Sequence, residues 1–88
     1  MPVILRLYSR TGCHLCDEML KELETLQQTK AGTFTVEILD IDLDQDMQRR
    51  YSLRIPLLTA GTGGKVLCEN RFQRQSVLDY LAETTRQV

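Results

Sequence analysis

A strand–helix–strand pattern in the first half of the chain constrains the fold more than any other feature. Residues 3–8 form a short, nearly all-apolar run, which predicts a strand buried on both faces. Residues 33–41 alternate polar and apolar side chains and predict a second strand. Two strands joined by a helix are expected to be parallel, with a right-handed crossover. The helix is predicted over residues 14–28, where the apolar positions at helical spacing are Leu15, Met19, Leu23 and Leu26.

The second half of the chain predicts a short helix, a β-hairpin and a closing helix. Asp44 is placed to cap the short helix, and Met47 and Tyr51, four positions apart, are expected to pack in the core. Glycines separate the two apolar strands of the hairpin. The short helix is predicted to start near Asp44 within the polar stretch 42–53. The other predicted ranges are 55–60 and 65–68 for the strands, 61–64 for the turn, and 73–86 for the closing helix.

These elements predict one α/β domain over residues 1–88, in the order β-α-β-α-β-β-α. A chain of this size has room for a single core. Its composition, 42% hydrophobic and 26% charged, is that of an ordinary globular protein. A first strand that is apolar throughout needs helices on both faces of its sheet. The expected architecture is therefore a four-stranded mixed sheet flanked by three helices.

The charges of the chain are balanced, with eleven basic and twelve acidic side chains and a net charge of -1. Such a balance indicates no excess of positive charge that would attract nucleic acid or anionic lipid. The apolar run at residues 3–5, which Arg6 interrupts, is too short for a signal-peptide core or a membrane span. We therefore expect a cytoplasmic monomer that binds neither nucleic acid nor membranes.

The three cysteines of the chain need a chemical explanation, because an odd count without a secretion signal does not suit a disulfide framework. Cys13 and Cys16 form a C-x-x-C at the junction of the first strand and helix. A helix N-terminus offers unpaired N–H groups and a positive dipole end, which favour a thiolate. The pattern predicts thiol–disulfide exchange, with Cys13 as the exposed nucleophile and Cys16 as the resolving thiol. Cys68 is expected to be a small apolar residue in a strand.

Other interpretations of the C-x-x-C spacing stay open. A tetrahedral zinc site needs four ligands, and beyond the two cysteines the chain offers only His14 between them and the distant Cys68, so we predict no metal site. Two ordinary core cysteines are a second alternative, but the strand-to-helix placement argues against them. His14 either supports the Cys13 thiolate or is an exposed bystander, since adjacency is the only argument for a role.

The chain resembles a glutaredoxin, of the short bacterial glutaredoxin-like branch, in LYSRTGCHLC at residues 7–16 and in Ile55-Pro56. The resemblance covers nearly all of the chain and implies a thioredoxin-like fold of the glutaredoxin type. It also implies that Pro56 follows a cis peptide bond and lies beside the reactive cysteine, where neighbouring backbone groups pair with the substrate. Thioredoxin proper carries a tryptophan before the first cysteine, whereas Gly12 stands there in this chain.

The resemblance further implies where glutathione would bind. Arg10 matches the basic residue three positions before the nucleophile that meets a glutathione carboxylate, and Arg54 can meet another. The paired aspartates that usually hold the glutathione amino group are missing, because residues 68–72 have the sequence CENRF. We therefore expect no tightly bound cofactor and keep glutathione as a co-substrate to be tested. The expected substrate-binding residues are Arg10, His14, Arg54, Ile55 and Pro56.

The sequence thus predicts a glutaredoxin-like enzyme that reduces protein disulfides or glutathione mixed disulfides through Cys13 and Cys16. Two alternatives from other functional classes stay open. In the first, Cys13 from each of two chains holds an iron–sulfur cluster, with or without glutathione, as in some glutaredoxins. In the second, the domain is a thioredoxin-like interaction module whose cysteines no longer turn over.

Overall fold

The strands and helices follow the predicted order in a computed structural model, which describes residues 3–29, 34–61 and 64–86. The sequence pattern does not predict the short 3-10 turn, Ile41–Leu43, that follows the second strand. The predicted start of that strand and the centre of the glycine-rich turn fall within residues 30–33 and 62–63, outside the described residues. The elements are β1 (Val3–Ser9), α1 (His14–Thr29), β2 (Phe34–Asp40), α2 (Gln45–Tyr51), β3 (Leu57–Ala60), β4 (Val66–Glu69) and α3 (Arg74–Arg86).

The four strands form one mixed sheet in the order β2-β1-β3-β4. β1 is parallel to β2, with Ser9 opposite Asp40, and β3 is antiparallel to β1, with Leu57 opposite Tyr8. β4 is antiparallel to β3. β1, β2 and β4 therefore end, and β3 begins, at one end of the sheet, which we call the upper end. The predicted mixed sheet with a parallel first pair is confirmed.

The core lies between one face of the sheet and the helices α1 and α3. Met19 and Leu23 of α1 and Val77 of α3 are fully buried against Leu5 and Leu7, which alternate onto this face of β1. Burial of one large apolar side chain contributes about 2 kcal/mol, so this stripe is what holds α1 to the sheet. The cluster comprises Leu5, Leu7, Met19, Leu23, Leu26, Phe34, Leu58, Leu67, Cys68, Val77 and Leu81.

The opposite face of the sheet is covered only in part, which corrects the prediction that β1 is buried on both faces. Ile4 is 46% exposed. The helix on this face, α2, is short and contributes no fully buried residue, so Met47 and Tyr51 are half-buried rather than in the core. The ring of Tyr51 packs on that of Tyr8, with centroids 4.5 Å apart. The predicted cap of α2 is confirmed, since the Asp46 N–H donates to the Asp44 carboxylate.

Candidate active site

The loop that carries the first cysteine leaves the upper end of the sheet and enters α1 directly. The Cys13 N–H donates to the Arg10 carbonyl at 3.2 Å, which closes a tight turn. Gly12 lies in this turn with φ +84, a conformation that glycine adopts without a steric cost. The Asp17 N–H donates to the Cys13 carbonyl, so Cys13 is the N-cap residue of α1.

Cys13 and Cys16 are joined by a disulfide, with their Cα atoms 5.2 Å apart. Cys13 is partly exposed at the tip of the helix, whereas Cys16 is 1% exposed. Of the two cysteines, Cys13 is therefore the one that an incoming molecule reaches.

A backbone N–H group points at the Cys13 sulfur. It belongs to Cys16 and lies 3.1 Å from Sγ, in the position where an N-cap side chain ordinarily accepts a hydrogen bond. A sulfur anion accepts such a bond more strongly than a neutral thiol does, and it also gains from the positive end of the helix dipole. The local backbone therefore favours the thiolate of the reduced protein without help from a charged side chain.

The loop before β3 reaches the same end of the sheet. The Ile55–Pro56 peptide bond is cis, as the resemblance implied. Pro56 immediately precedes Leu57, the partner of Tyr8 in the sheet, so it lies level with the end of β1 from which the cysteine loop departs. The Pro56 carbonyl accepts the Asn70 N–H at 2.8 Å, which ties this loop to the end of β4.

Both arginines expected to bind substrate are paired with carboxylates of the protein itself. Arg10 donates from Nη2 to Asp42 Oδ1 at 2.7 Å and from Nε to Oδ2 at 3.3 Å. Arg54 donates from Nε to Glu69 Oε2 at 3.1 Å and from Nη2 to Oε1 at 3.3 Å. The hydrogen bonds from Arg10 hold the pKa of Asp42 below its ordinary value. Arg54 also lies over the Tyr51 ring, 5.9 Å from its centroid.

Comparison with protein families assigns the chain. The profile of the family described as "Glutaredoxin-like domain (DUF836)" matches residues 4–82. The chain belongs to this glutaredoxin-like family. The family, the fold and the Cys13–Cys16 pair together support a redox-type role for the domain.

Solved structures similar to this glutaredoxin-like domain include two bacterial proteins. One from Nitrosomonas europaea, determined by NMR, is 36% identical over 91% of this chain and 92% of its own, with a TM-score of 0.78. One from X. campestris, determined by X-ray analysis, is 32% identical over 90% of this chain and 96% of its own, with a TM-score of 0.65. Thioredoxin-2 of the malaria parasite, at 20% identity over 97% and 82%, has a TM-score of 0.62 and shows the shared fold. No curated protein matches the chain significantly.

The remaining site candidates of the glutaredoxin-like domain lie apart from the sulfur atoms. The His14 side chain is 87% exposed, and its Nε2 lies 3.4 Å from Glu18 Oε1 one turn along α1. Cys68 is buried in β4, as expected, and its Sγ accepts the Gln73 N–H at 3.2 Å. Burial raises the pKa of the Cys68 thiol. Cys68 therefore remains a neutral, inaccessible thiol at neutral pH.

Residues of the C-x-x-C line two grooves that the sequence pattern does not reveal, with Leu15 in one and Cys16 in the other. The larger, about 300 Å³, lies between α1 and the loop after β4, with Leu15, Met19 and Phe72 among its lining residues. The smaller, about 250 Å³, reaches Cys16 between Arg10 and Asp40. Sequence analysis also missed Asp42 and Glu69 as partners of the arginines. Leu57, which follows Pro56, pairs with Glu69 in the hairpin, and this pairing places Glu69 beside the proline loop.

Among the described residues, no group of three or more His, Cys, Asp or Glu side chains is arranged to hold a metal ion. In the same ranges of the chain, none of the helices is both long and apolar enough to cross a membrane.

Proposed function

We propose that this glutaredoxin-like domain is a thiol–disulfide oxidoreductase that reduces protein or mixed disulfides through Cys13 and Cys16. The observation that carries the proposal is the cap of α1. There the Cys16 N–H meets the Cys13 sulfur at 3.1 Å, and the two sulfurs lie within bonding distance of each other. The same helix end therefore favours the attacking anion and supplies the second thiol.

The reaction follows from the different exposure of the two sulfurs. The Cys13 thiolate attacks one sulfur of a substrate disulfide, forms a mixed disulfide, and releases the other substrate sulfur as a thiolate that takes a proton from water. Cys16 then loses its proton and attacks the Cys13 sulfur, which releases the second substrate thiol. Two electrons pass to the substrate, and the domain is left with the Cys13–Cys16 disulfide. An external thiol reductant returns it to the dithiol and is itself oxidised to a disulfide.

The proposed roles of the two cysteines predict different fates for two variants. Cys16→Ser lacks the resolving thiol, so an oxidised protein substrate such as insulin should remain covalently attached at Cys13. Cys13→Ser should form no such adduct, because Cys16, at 1% exposure, is not accessible to the substrate. Mass spectrometry under non-reducing conditions measures the adduct. Both variants carry Cys68→Ala, so that every adduct is assigned to the C-x-x-C.

The wild-type domain provides the decisive measurement. In glutathione buffers of graded redox potential, we expect the Cys13–Cys16 pair to convert between dithiol and disulfide in one two-electron transition. A pair that stays in one state across the whole range contradicts the proposed function. If the reduced Cys13 also resists alkylation at neutral pH, the non-catalytic interaction module becomes the better explanation.

A further inference from the structure

Two arginines at the upper end of the sheet, Arg10 and Arg54, each hold a carboxylate of the chain. We propose that Asp42 and Glu69 are specificity-determining residues. By occupying Arg10 and Arg54, they make the site select protein disulfides over mixed disulfides of glutathione. This inference rests on the proposed oxidoreductase function, because it concerns which disulfide reaches Cys13.

The sheet topology brings both ion pairs to the dithiol. Arg10 follows β1 in the turn that positions Cys13, and Asp42 follows β2, the parallel neighbour of β1. Arg54 precedes the cis-proline loop at the start of β3, and Glu69 ends β4. The partners are 32 and 15 positions apart in the chain. Each pair therefore bridges two separate segments at the end of the sheet where the disulfide forms.

Each guanidinium uses two of its N–H groups on one carboxylate. A carboxylate of an incoming ligand would bind an arginine through this same two-pronged geometry. Further contacts hold both pairs in place: Asp42 also accepts a hydrogen bond from Gln48 Nε2 at 3.2 Å, and Arg54 lies over the Tyr51 ring. The Nε–Nη2 edge of each guanidinium is therefore already in use, whereas the edge between Nη1 and Nη2 is not part of these pairs.

This arrangement weakens the binding of glutathione in particular, because glutathione carries two carboxylates close to its sulfur. To bind an arginine through its Nε–Nη2 edge, glutathione must displace Asp42 or Glu69. At the other edge its carboxylate lies beside a guanidinium charge that Asp42 or Glu69 already neutralises. A disulfide within a polypeptide presents neutral amide groups around its sulfur instead and needs neither arginine. The pairs are partly exposed, with side-chain exposures of 38% for Arg54 and 42% for Glu69, so solvent weakens them and the selectivity should be several-fold rather than absolute.

The larger groove, which Leu15 of the C-x-x-C lines, suits a polypeptide. Leu15, within the C-x-x-C, is 52% exposed and lines the larger groove together with Phe72. The charged side chains of this groove are two acidic and two basic, so it attracts neither charge sign strongly. A neutral, partly apolar segment beside a substrate disulfide can therefore contact this groove while its sulfur lies at Cys13.

The selectivity is tested with two matched probes and the whole domain. One acetylated and amidated reporter peptide is joined through its cysteine either to glutathione or to the neutral N-acetylcysteine amide. The rate constant of the reduced domain with each probe is divided by that of free dithiothreitol, which removes the intrinsic reactivity of the probe. For the wild type we expect a normalised rate with the glutathione probe that is no higher than with the neutral probe.

Glu69→Gln removes the charge that competes for Arg54. We expect it to raise the normalised rate with the glutathione probe about two- to fivefold and to leave the neutral probe unchanged, as fits a partly exposed ion pair. Asp42→Asn tests the Arg10 pair in the same way. Glu83→Gln is the matched control. Glu83 lies on α3 and forms an exposed ion pair with Lys65, so the substitution removes the same charge and should change neither rate.

The double variant Glu69→Gln/Arg54→Ala distinguishes the effect of an unpaired arginine from the effect of losing a negative charge. In a background of Arg54→Ala, Glu69→Gln should no longer raise the normalised rate with the glutathione probe. The proposal is overturned if the gain persists there, if both probes gain equally, or if the wild type already prefers the glutathione probe. A wild type that reacts with neither probe overturns the proposed function itself, which is a different outcome.

Discussion

At the scale of single residues, the Cys13 sulfur obtains its environment from the backbone. It accepts a hydrogen bond from the Cys16 N–H, and the turn that presents it is closed by main-chain atoms of Arg10. The adjacent His14 lies beside Glu18 and is largely exposed to solvent. The hydrogen bond at the Cys13 sulfur is therefore a property of the helix start and does not depend on the His14 side chain.

The buried Cys68 makes stability depend on alkaline pH. Burial raises its pKa in the folded protein, so the folded state holds this proton more tightly than the unfolded state does. The resulting stability is fully present below the ordinary thiol pKa of about 8.5 and is lost as the pH rises through the raised value. Cys68→Ala should therefore lose less stability than the wild type between pH 7 and pH 10. Urea unfolding at both pH values measures this difference.

Chemical labelling checks the same residue independently. In the reduced wild type, iodoacetamide at neutral pH should modify Cys13 and leave Cys68 unmodified until urea unfolds the domain. Modification of Cys68 in the folded protein at a rate near that of a free thiol would contradict its burial.

At the scale of elements, α1 has two parts with different tasks. Its first turn presents the cysteines and leaves Leu15 exposed, whereas the following turns bury Met19, Leu23 and Leu26 against the sheet. The first turn can therefore meet a substrate while the rest of the helix is fixed. The short α2 has no comparable buried stripe, and Leu53 just beyond it is 92% exposed.

The buried stripe of α1 predicts a large loss of stability on truncation. Leu23→Ala removes a side chain that is 0% exposed and should lower the free energy of unfolding by about 2–4 kcal/mol. Leu53→Ala makes the same chemical change at an exposed position and should stay within about 0.5 kcal/mol of the wild type. Urea denaturation of both variants measures the contrast. Equal losses in the two variants would place the core elsewhere than along α1.

What the sequence predicts at this scale depends on periodicity. The α1 stripe and the cysteine positions recur at helical spacing, so the pattern predicted both. The half-exposed face of β1 was not predicted, because an apolar run cannot reveal that the helix above it is too short to cover it. Asp42 and Glu69 were missed for a related reason: they meet their arginines only through strand order and register, which no local pattern records.

At the scale of the whole molecule, strand order assembles the site. Four chain segments that are distant in sequence meet at the upper end of the sheet, after β1, after β2, before β3 and at the end of β4. The segment after β1 supplies the cysteines, and the segment before β3 supplies the cis-proline. The segment after β2 and the end of β4 supply Asp42 and Glu69, the carboxylates that pair with the two arginines. The Cys13–Cys16 pair thus comes from one local motif, whereas the two arginine–carboxylate pairs depend on the complete sheet.

The link between β1 and β2 at this end predicts a change of stability in acid. Arg10 lowers the pKa of Asp42 in the folded protein, so the pair stabilises the fold above the ordinary aspartate pKa of about 3.9 and is lost as the pH falls through the lowered value. Asp42→Asn should therefore be less stable than the wild type at pH 7, and the two should converge as the pH falls through the lowered pKa of Asp42.

Urea unfolding of both proteins at pH 7 and pH 2.5 measures this convergence, and Glu83→Gln again serves as the control for loss of one exposed carboxylate. Because Asp42 is solvent-exposed, the informative quantity is how the difference changes with pH, not its size at one pH. A difference that is the same at both pH values would mean that the Asp42→Asn substitution disturbs the 3-10 turn rather than the ion pair. In that case the effect of Asp42→Asn on substrate selectivity would also have to be assigned to the turn. Only Glu69→Gln would then test whether an arginine that is paired with a carboxylate of the protein excludes glutathione.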